Sequence, residues 1–88
     1  MFQIAVCDGE QMICSQLEKM ILDYFKTIHE KVKVEVFFTG EGLYEFIKNG
    51  HSFDLVFLDI ELSCINGIEV GRKIREEMDN QTMQIVYI

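Results

Sequence analysis

The 88-residue sequence predicts a doubly wound α/β domain, a parallel sheet with helices on both faces. Three observations carry this. Apolar runs of strand length alternate strictly with amphipathic stretches of helical period, in the order strand, helix, strand, helix, strand, helix, strand. Two of the runs, at Phe2 and at Leu55, read as strands enclosed on both faces. Both stop at an aspartate.

FQIAVC, Phe2 to Cys7, is a buried strand, and Asp8-Gly9-Glu10 is the turn that ends it. From Gln11 the period changes. Ile13, Leu17, Met20, Ile21, Tyr24, Phe25 and Ile28 fall at helical spacing, opposite Gln16, Glu18, Lys19, Asp23 and Lys26. VKVEVFF, Val32 to Phe38, returns to period two, with Val32, Val34, Val36 and Phe38 alternating with Lys33, Glu35 and Phe37. The polar alternation suits a sheet edge, and the Phe37-Phe38 pair reads as core. Thr39 caps the next helix, whose apolar stripe is Leu43, Phe46 and Ile47. Asn49-Gly50 closes it, with Gly50 in a left-handed conformation. DLVFLD, Asp54 to Asp59, is the next strand, followed by a loop through Asn66. Ile68, Gly71, Ile74, Arg75 and Met78 fit one face of a third helix, and Asp79-Asn80-Gln81 is a loop. MQIVYI, Met83 to Ile88, is a last apolar strand. Right-handed crossovers join the strands.

This is one small domain, which buries roughly 60–65% of the surface its unfolded chain exposes. Hydrophobic residues make up 49% of it, enough for a globular core. Fifteen acids against 8 bases give a net charge of -7, which repels phosphate backbones and argues against nucleic-acid binding by this domain itself. The same acids suit a divalent cation. Cys7, Cys14 and Cys64 form no C-x-x-C pair, so reduced thiols in a cytoplasmic protein are expected rather than a disulfide framework or a zinc site. MFQIAVCDGE is no signal peptide, and no apolar run has the length to cross a membrane.

In open parallel sheets, ligands bind beyond the carboxyl ends of the strands. Asp8 and Asp59 each stand at such an end, and they converge if the first and third strands are neighbours. Glu10 lies on the same rim. Like charges held together repel unless a cation intervenes, and magnesium, which favours hard oxygen ligands, is the natural partner. A lone acid at a strand end is ordinarily a cap or simply solvated. Two of them, on strands one and three, point to function.

The sequence resembles the receiver domain of bacterial two-component response regulators along its whole length. AVCDGE is similar to the family's first-strand acidic motif, FFTGEGLYEFI to its second-strand passage, and DLVFLDIELSCINGIEVGRKIRE to the phosphoacceptor strand, its loop and the third helix. The CD-x-E and NGIEVGRKIR wording also resembles regulators with a LytTR-type DNA-binding output. The resemblance implies a flavodoxin-like fold with strand order 2-1-3-4. It implies that Asp59 accepts a phosphoryl group from a histidine kinase, with Mg2+ held by Asp8, Asp59 and the backbone carbonyl of Glu61, and by Glu10 if its loop adjusts. Gly67 would permit the tight turn into the third helix. The domain would be a cytoplasmic signalling module rather than an enzyme, at most catalysing its own phosphorylation. It would switch an output domain that itself binds DNA.

The sequence departs from the family at named places. The first-strand motif has two adjacent acids in the family, and Gly9 fills the second position. Ser63 replaces a common proline. The Ser or Thr after the fourth strand and the Lys ending a fifth are not among these residues, so residues 1–88 are expected to be the N-terminal part of a receiver, without its fifth strand and last two helices. The alternative reading is a pseudo-receiver, an interaction module that is not phosphorylated. Without the fifth strand and last two helices, the apolar last strand would be an open edge, and a homodimer or swapped oligomer is expected through it. Asp59-Ile60-Glu61 also resembles the D-x-D of haloacid-dehalogenase-type phosphotransferases, but Leu62-Ser63 follows where that motif continues with Gly-Thr. His29 and His51 read as isolated surface residues, and Cys64 has no basic neighbour to activate it.

Overall fold

The computed structural model describes residues 1–77 and 81–88. The expected place of Met78 on the third helix, and the loop at Asp79-Asn80, lie outside the described residues. Four strands, β1 (Phe2–Cys7), β2 (Val32–Phe37), β3 (Leu55–Leu58) and β4 (Gln84–Tyr87), alternate with three helices, α1 (Gln11–Thr27), α2 (Gly40–Lys48) and α3 (Gly67–Glu77). The strands form one parallel sheet in the order β2-β1-β3-β4. The expected order is therefore the observed one, and β2 is an edge strand as its polar alternation suggested.

The sheet separates two apolar layers. One holds Ala5, Cys7, Leu43, Ile47, Val56, Leu58, Val70 and Ile74 between the sheet and the α2–α3 side. The other holds Ile4, Val6, Cys14 and Ile21 under α1. The central strands β1 and β3 contribute to both, which is why they read as apolar on both faces.

Capping follows the sequence at α2. Thr39 is extended (φ -135, ψ 152) and its hydroxyl accepts from the Gly42 N–H at 3.0 Å. Gly50 turns the chain after α2 at φ 101, a conformation that disfavours any side chain. His29 takes a left-handed conformation (φ 56) just past α1 and is exposed, as is His51, which stacks on Phe46.

Three expectations about the core need correction. Ile68 is 56% exposed, and the buried face of α3 is Gly67, Val70, Gly71 and Ile74. Gly71 and Ile74 are buried as expected, and the helix is rotated so that Gly67 and Val70 join them in place of Ile68. Met20, Tyr24 and Ile28 are exposed, while Cys14 takes a core place on α1. The apolar stripe of α1 is wider than the part of the sheet it covers. Only half of the Phe37-Phe38 pair is core: Phe37 packs with Phe46 and Phe53, whereas Phe38 lies beyond the end of β2 and is half exposed. Among the described residues, no helix is long and apolar enough to cross a membrane.

Candidate functional site

The register of β1 and β3 brings the two acids together. Cys7 is opposite Leu58, so Asp8 and Asp59 are the next residues out on neighbouring strands. Backbone bonds continue the ladder past the strand ends. The Asp59 N–H donates to the Cys7 carbonyl at 2.9 Å, and the Asp8 N–H donates to the Phe37 carbonyl at 3.0 Å.

Both acids then make the same local turn. Asp8 Oδ1 accepts from the Glu10 N–H at 2.8 Å, and Asp59 Oδ1 accepts from the Glu61 N–H at 3.0 Å. Each is an aspartate bonding the backbone two residues on, a turn that holds one carboxylate oxygen at the strand end. The two differ in exposure. Asp8 is 7% exposed, and Asp59 is half-buried and open to the rim. The Cys14 thiol donates to the Asp8 carbonyl at 3.3 Å from beneath.

The loop after Asp59 is tied at both ends. The Gly67 N–H donates to the Ile60 carbonyl at 2.9 Å, and Asn66 caps α3 by accepting from the Glu69 N–H at 2.9 Å. Leu62 is buried and Ile65 half-buried, which anchors the loop, while Ser63 and Cys64 are exposed. Gly67 is required by contact rather than by a left-handed torsion: a β-carbon there would overlap the Asp59 carbonyl and come within 2.8 Å of its carbon and 3.0 Å of Ile60 Cα. The start of α3 therefore rests on the backbone of Asp59.

The electrostatics agree with this convergence. The Cys7 thiol is pushed up to about 12, first by burial, then by Cys14 and the charges of Asp59, Asp8 and Glu41. Cys14 is raised by burial and by Asp8, with Glu18 and Asp59 adding to it. Both thiols stay protonated beside the acids and act as packing and hydrogen-bond donors, not nucleophiles.

The donor set suits a hard cation. Neither Asp8 nor Asp59 forms an ion pair with a described residue; the pairs are Lys19–Asp23, Lys33–Glu35, Arg72–Glu69 and Lys73–Glu77. Two carboxylates, one of them buried and without a basic partner, favour a divalent ion that brings its own waters. Glu10 stands apart. It is exposed at the N-cap of α1, and among the described residues no group of three His, Cys, Asp or Glu side chains could hold a metal ion. Glu61 is exposed, with its peptide held by the Asp59 turn.

Asp8 and Asp59 were legible from the sequence. The paired turns were half-legible, since Asp-Gly-Glu is a turn signal. The supporting thiol of Cys14 carried no signal, because its partner is a backbone carbonyl.

Comparison with known proteins follows the same lines. The family described as response regulator receiver domain matches residues 4–88. The response regulator ArlR of Staphylococcus aureus is 35% identical over 78 residues, which is 88% of this chain and 32% of that protein. The chain thus spans about a third of the length of the curated relatives it matches. Among solved structures, response regulator TrrA of Thermotoga maritima, in complex with Mg2+ and beryllofluoride, is 26% identical with a TM-score of 0.77, over 99% of this chain and 66% of that one. The beryllofluoride-activated DrrB receiver domain is 25% identical with a TM-score of 0.74, over 99% and 64%.

Proposed function

The chain belongs to the response regulator receiver domain family, and on that premise we propose that Asp59 accepts a phosphoryl group from a histidine kinase and thereby switches an output domain. The observation that carries this is the pairing of an accessible acid, Asp59, with a buried one, Asp8, at adjacent strand ends in matching turns.

An ionised carboxylate needs no general base to attack phosphorus. An Asp59 oxygen forms the new O–P bond, the N–P bond of the donor phosphohistidine breaks, and the imidazole leaves with the bonding pair and takes a proton from solvent. The Asx turn holds Asp59 through Oδ1 with its carboxylate at the open mouth of the strand. Gly67 leaves no slack behind its backbone. Asp8, Asp59 and the Glu61 carbonyl are the oxygens that would hold Mg2+, and Glu10, at the N-cap of α1, would join them only if its loop adjusts. When bound, that ion supplies positive charge for the phosphoryl oxygens.

The output domain is proposed to be a DNA-binding transcription regulator of LytTR type, by the CD-x-E and NGIEVGRKIR wording. The protein is proposed to act in the cytoplasm and to associate as a homodimer or swapped oligomer. A second reading, an interaction module that is not phosphorylated, is favoured by Gly9, which leaves the site with two acids.

Beryllofluoride, a phosphoryl mimic, decides between the two. Fluorine NMR of the chain with beryllofluoride and Mg2+ should show a bound resonance that disappears in Asp59→Asn, a change that keeps the turn. Absence of the bound resonance at saturating reagent favours the non-phosphorylated module.

A further inference from the structure

The buried acid of the pair is held at two points. Asp8 Oδ1 accepts from the Glu10 N–H at 2.8 Å, and the Asp8 carbonyl accepts from the Cys14 thiol at 3.3 Å. That carbonyl belongs to the Asp8–Gly9 peptide, which lies inside the ring closed by the first bond. Rotating the peptide plane therefore moves the Glu10 N–H relative to Oδ1. Among the described residues, no backbone N–H donates to the Asp8 carbonyl. Gly9 adds little restraint of its own. Its φ lies outside the left-handed region, a rotated plane would carry it toward positive values, and glycine takes those as readily as negative ones. Packing does not lock the peptide either: apart from its chain neighbours, a β-carbon on Gly9 would meet only the Phe38 carbonyl oxygen, at 3.9 Å.

We propose that Cys14 is a positioning residue for Asp8: its thiol fixes the Asp8–Gly9 peptide and, through it, the direction of the carboxylate. The proposal rests on the reading of Asp8 and Asp59 given above. Cys14 is well placed for the role. It is 1% exposed in the first turn of α1, its own N–H donates to the Glu10 carbonyl at 3.1 Å, and it shares an apolar layer with Ile4, Val6 and Ile21. Helix and core thus fix the sulfur, while its hydrogen remains to donate. Burial first, and then the charge of Asp8, raise the thiol, so the S–H is kept. A buried carbonyl that loses its donor is left unsatisfied, and rotation toward another donor is the response that glycine allows.

The test crosses the donor with the bulk. Cys14→Ser keeps a donor and loses volume, Cys14→Val fills the space and donates nothing, and Cys14→Ala does neither. MgCl2 is titrated into the wild-type chain and each variant by calorimetry, with circular dichroism reading the fold of each. Cys14→Ser should retain the wild-type affinity, and Cys14→Ala and Cys14→Val should bind about three- to tenfold more weakly. A packing role gives the opposite pattern, Cys14→Val like the wild type and Cys14→Ser as weak as Cys14→Ala, and would overturn the proposal. Wild-type affinity in Cys14→Ala would overturn it as well. If Cys14→Ala does not fold, Cys14→Ser against Cys14→Val decides in the same way. Phosphoryl uptake on Asp59 from acetyl phosphate is read in parallel by mass spectrometry. Uptake by the wild type with equal affinities throughout removes the role of Cys14 and leaves the phosphoacceptor reading standing. The expected affinity pattern without uptake in any form does the reverse. No Mg2+ binding by any form removes the proposal together with the metal role.

Discussion

Gly67 packs its α-carbon against the backbone of Asp59, so closely that a β-carbon would lie 2.8 Å from the Asp59 carbonyl carbon. The contact joins the first residue of α3 to the residue just past the end of β3. Its neighbour is backbone and cannot rotate away. Gly67→Ala should therefore destabilise the domain by about 1–3 kcal/mol, as overpacking does. It should also move the Asp59 carboxylate. Urea unfolding reads the first effect and beryllofluoride binding the second.

One turn further along α3, Gly71 meets a different kind of neighbour. A β-carbon there would overlap the hydroxyl end of Tyr87, with the ring's Cζ at 3.1 Å. Tyr87 is 41% exposed and can swing outward. Gly71→Ala should cost less than Gly67→Ala, and the cost should shrink when Tyr87→Ala is present as well. A double-mutant cycle by chemical denaturation measures the coupling, and additive effects would contradict the contact.

The thiols should differ sharply in reactivity. Cys64 is exposed, whereas Cys7 and Cys14 are buried and both raised above their ordinary value of 9.0. Alkylation of the folded chain at pH 8 should give one adduct, at Cys64, and denaturation should release the other two. The pH dependence has a definite sign. The Cys7 thiol is held neutral in the fold up to about 12 but ionises near 9.0 when unfolded. Its contribution to stability is intact below pH 9 and is lost progressively as pH rises toward 12. Cys7→Ala should flatten that part of the profile.

The β4 edge should associate. Val86, Tyr87 and Ile88 are all exposed, and Gln84 is the one polar side chain in the strand. The opposite edge, β2, carries the Lys33–Glu35 pair, the kind of charge that discourages edge pairing. Light scattering behind a sizing column at micromolar concentration should show dimers or larger species of the 88-residue chain. Val86→Lys should shift them toward monomer. A monodisperse wild-type monomer would contradict this expectation.

Element order and the two strand-end acids were readable because hydrophobic period and strand-end aspartates are local signals, whereas the strand order came with the resemblance to the receiver family. Residues whose role depends on a distant neighbour were not. Ile68 drew the helix phase toward itself, because one of the residues α3 buries, Gly67, carries no hydrophobic signal. Met20 and Tyr24 looked like core because the period of α1 continues past the sheet area it covers. Gly67 was expected to serve a tight turn, and the structure gives it a packing reason that no single-sequence pattern encodes. Cys14 was read only as one of three reduced thiols, yet it supports Asp8 through a carbonyl bond.

Asp59 as the nucleophile is read out by the covalent adduct it forms. The chain is incubated with acetyl phosphate and Mg2+, then reduced with borohydride, which converts an aspartyl phosphate to homoserine. Peptide mass spectrometry locates the change. Homoserine is expected at position 59 in the wild type and none in Asp59→Asn, whose side chain keeps the turn to the Glu61 N–H. Homoserine at another aspartate, or an undiminished yield of modified chain in Asp59→Asn, would contradict it.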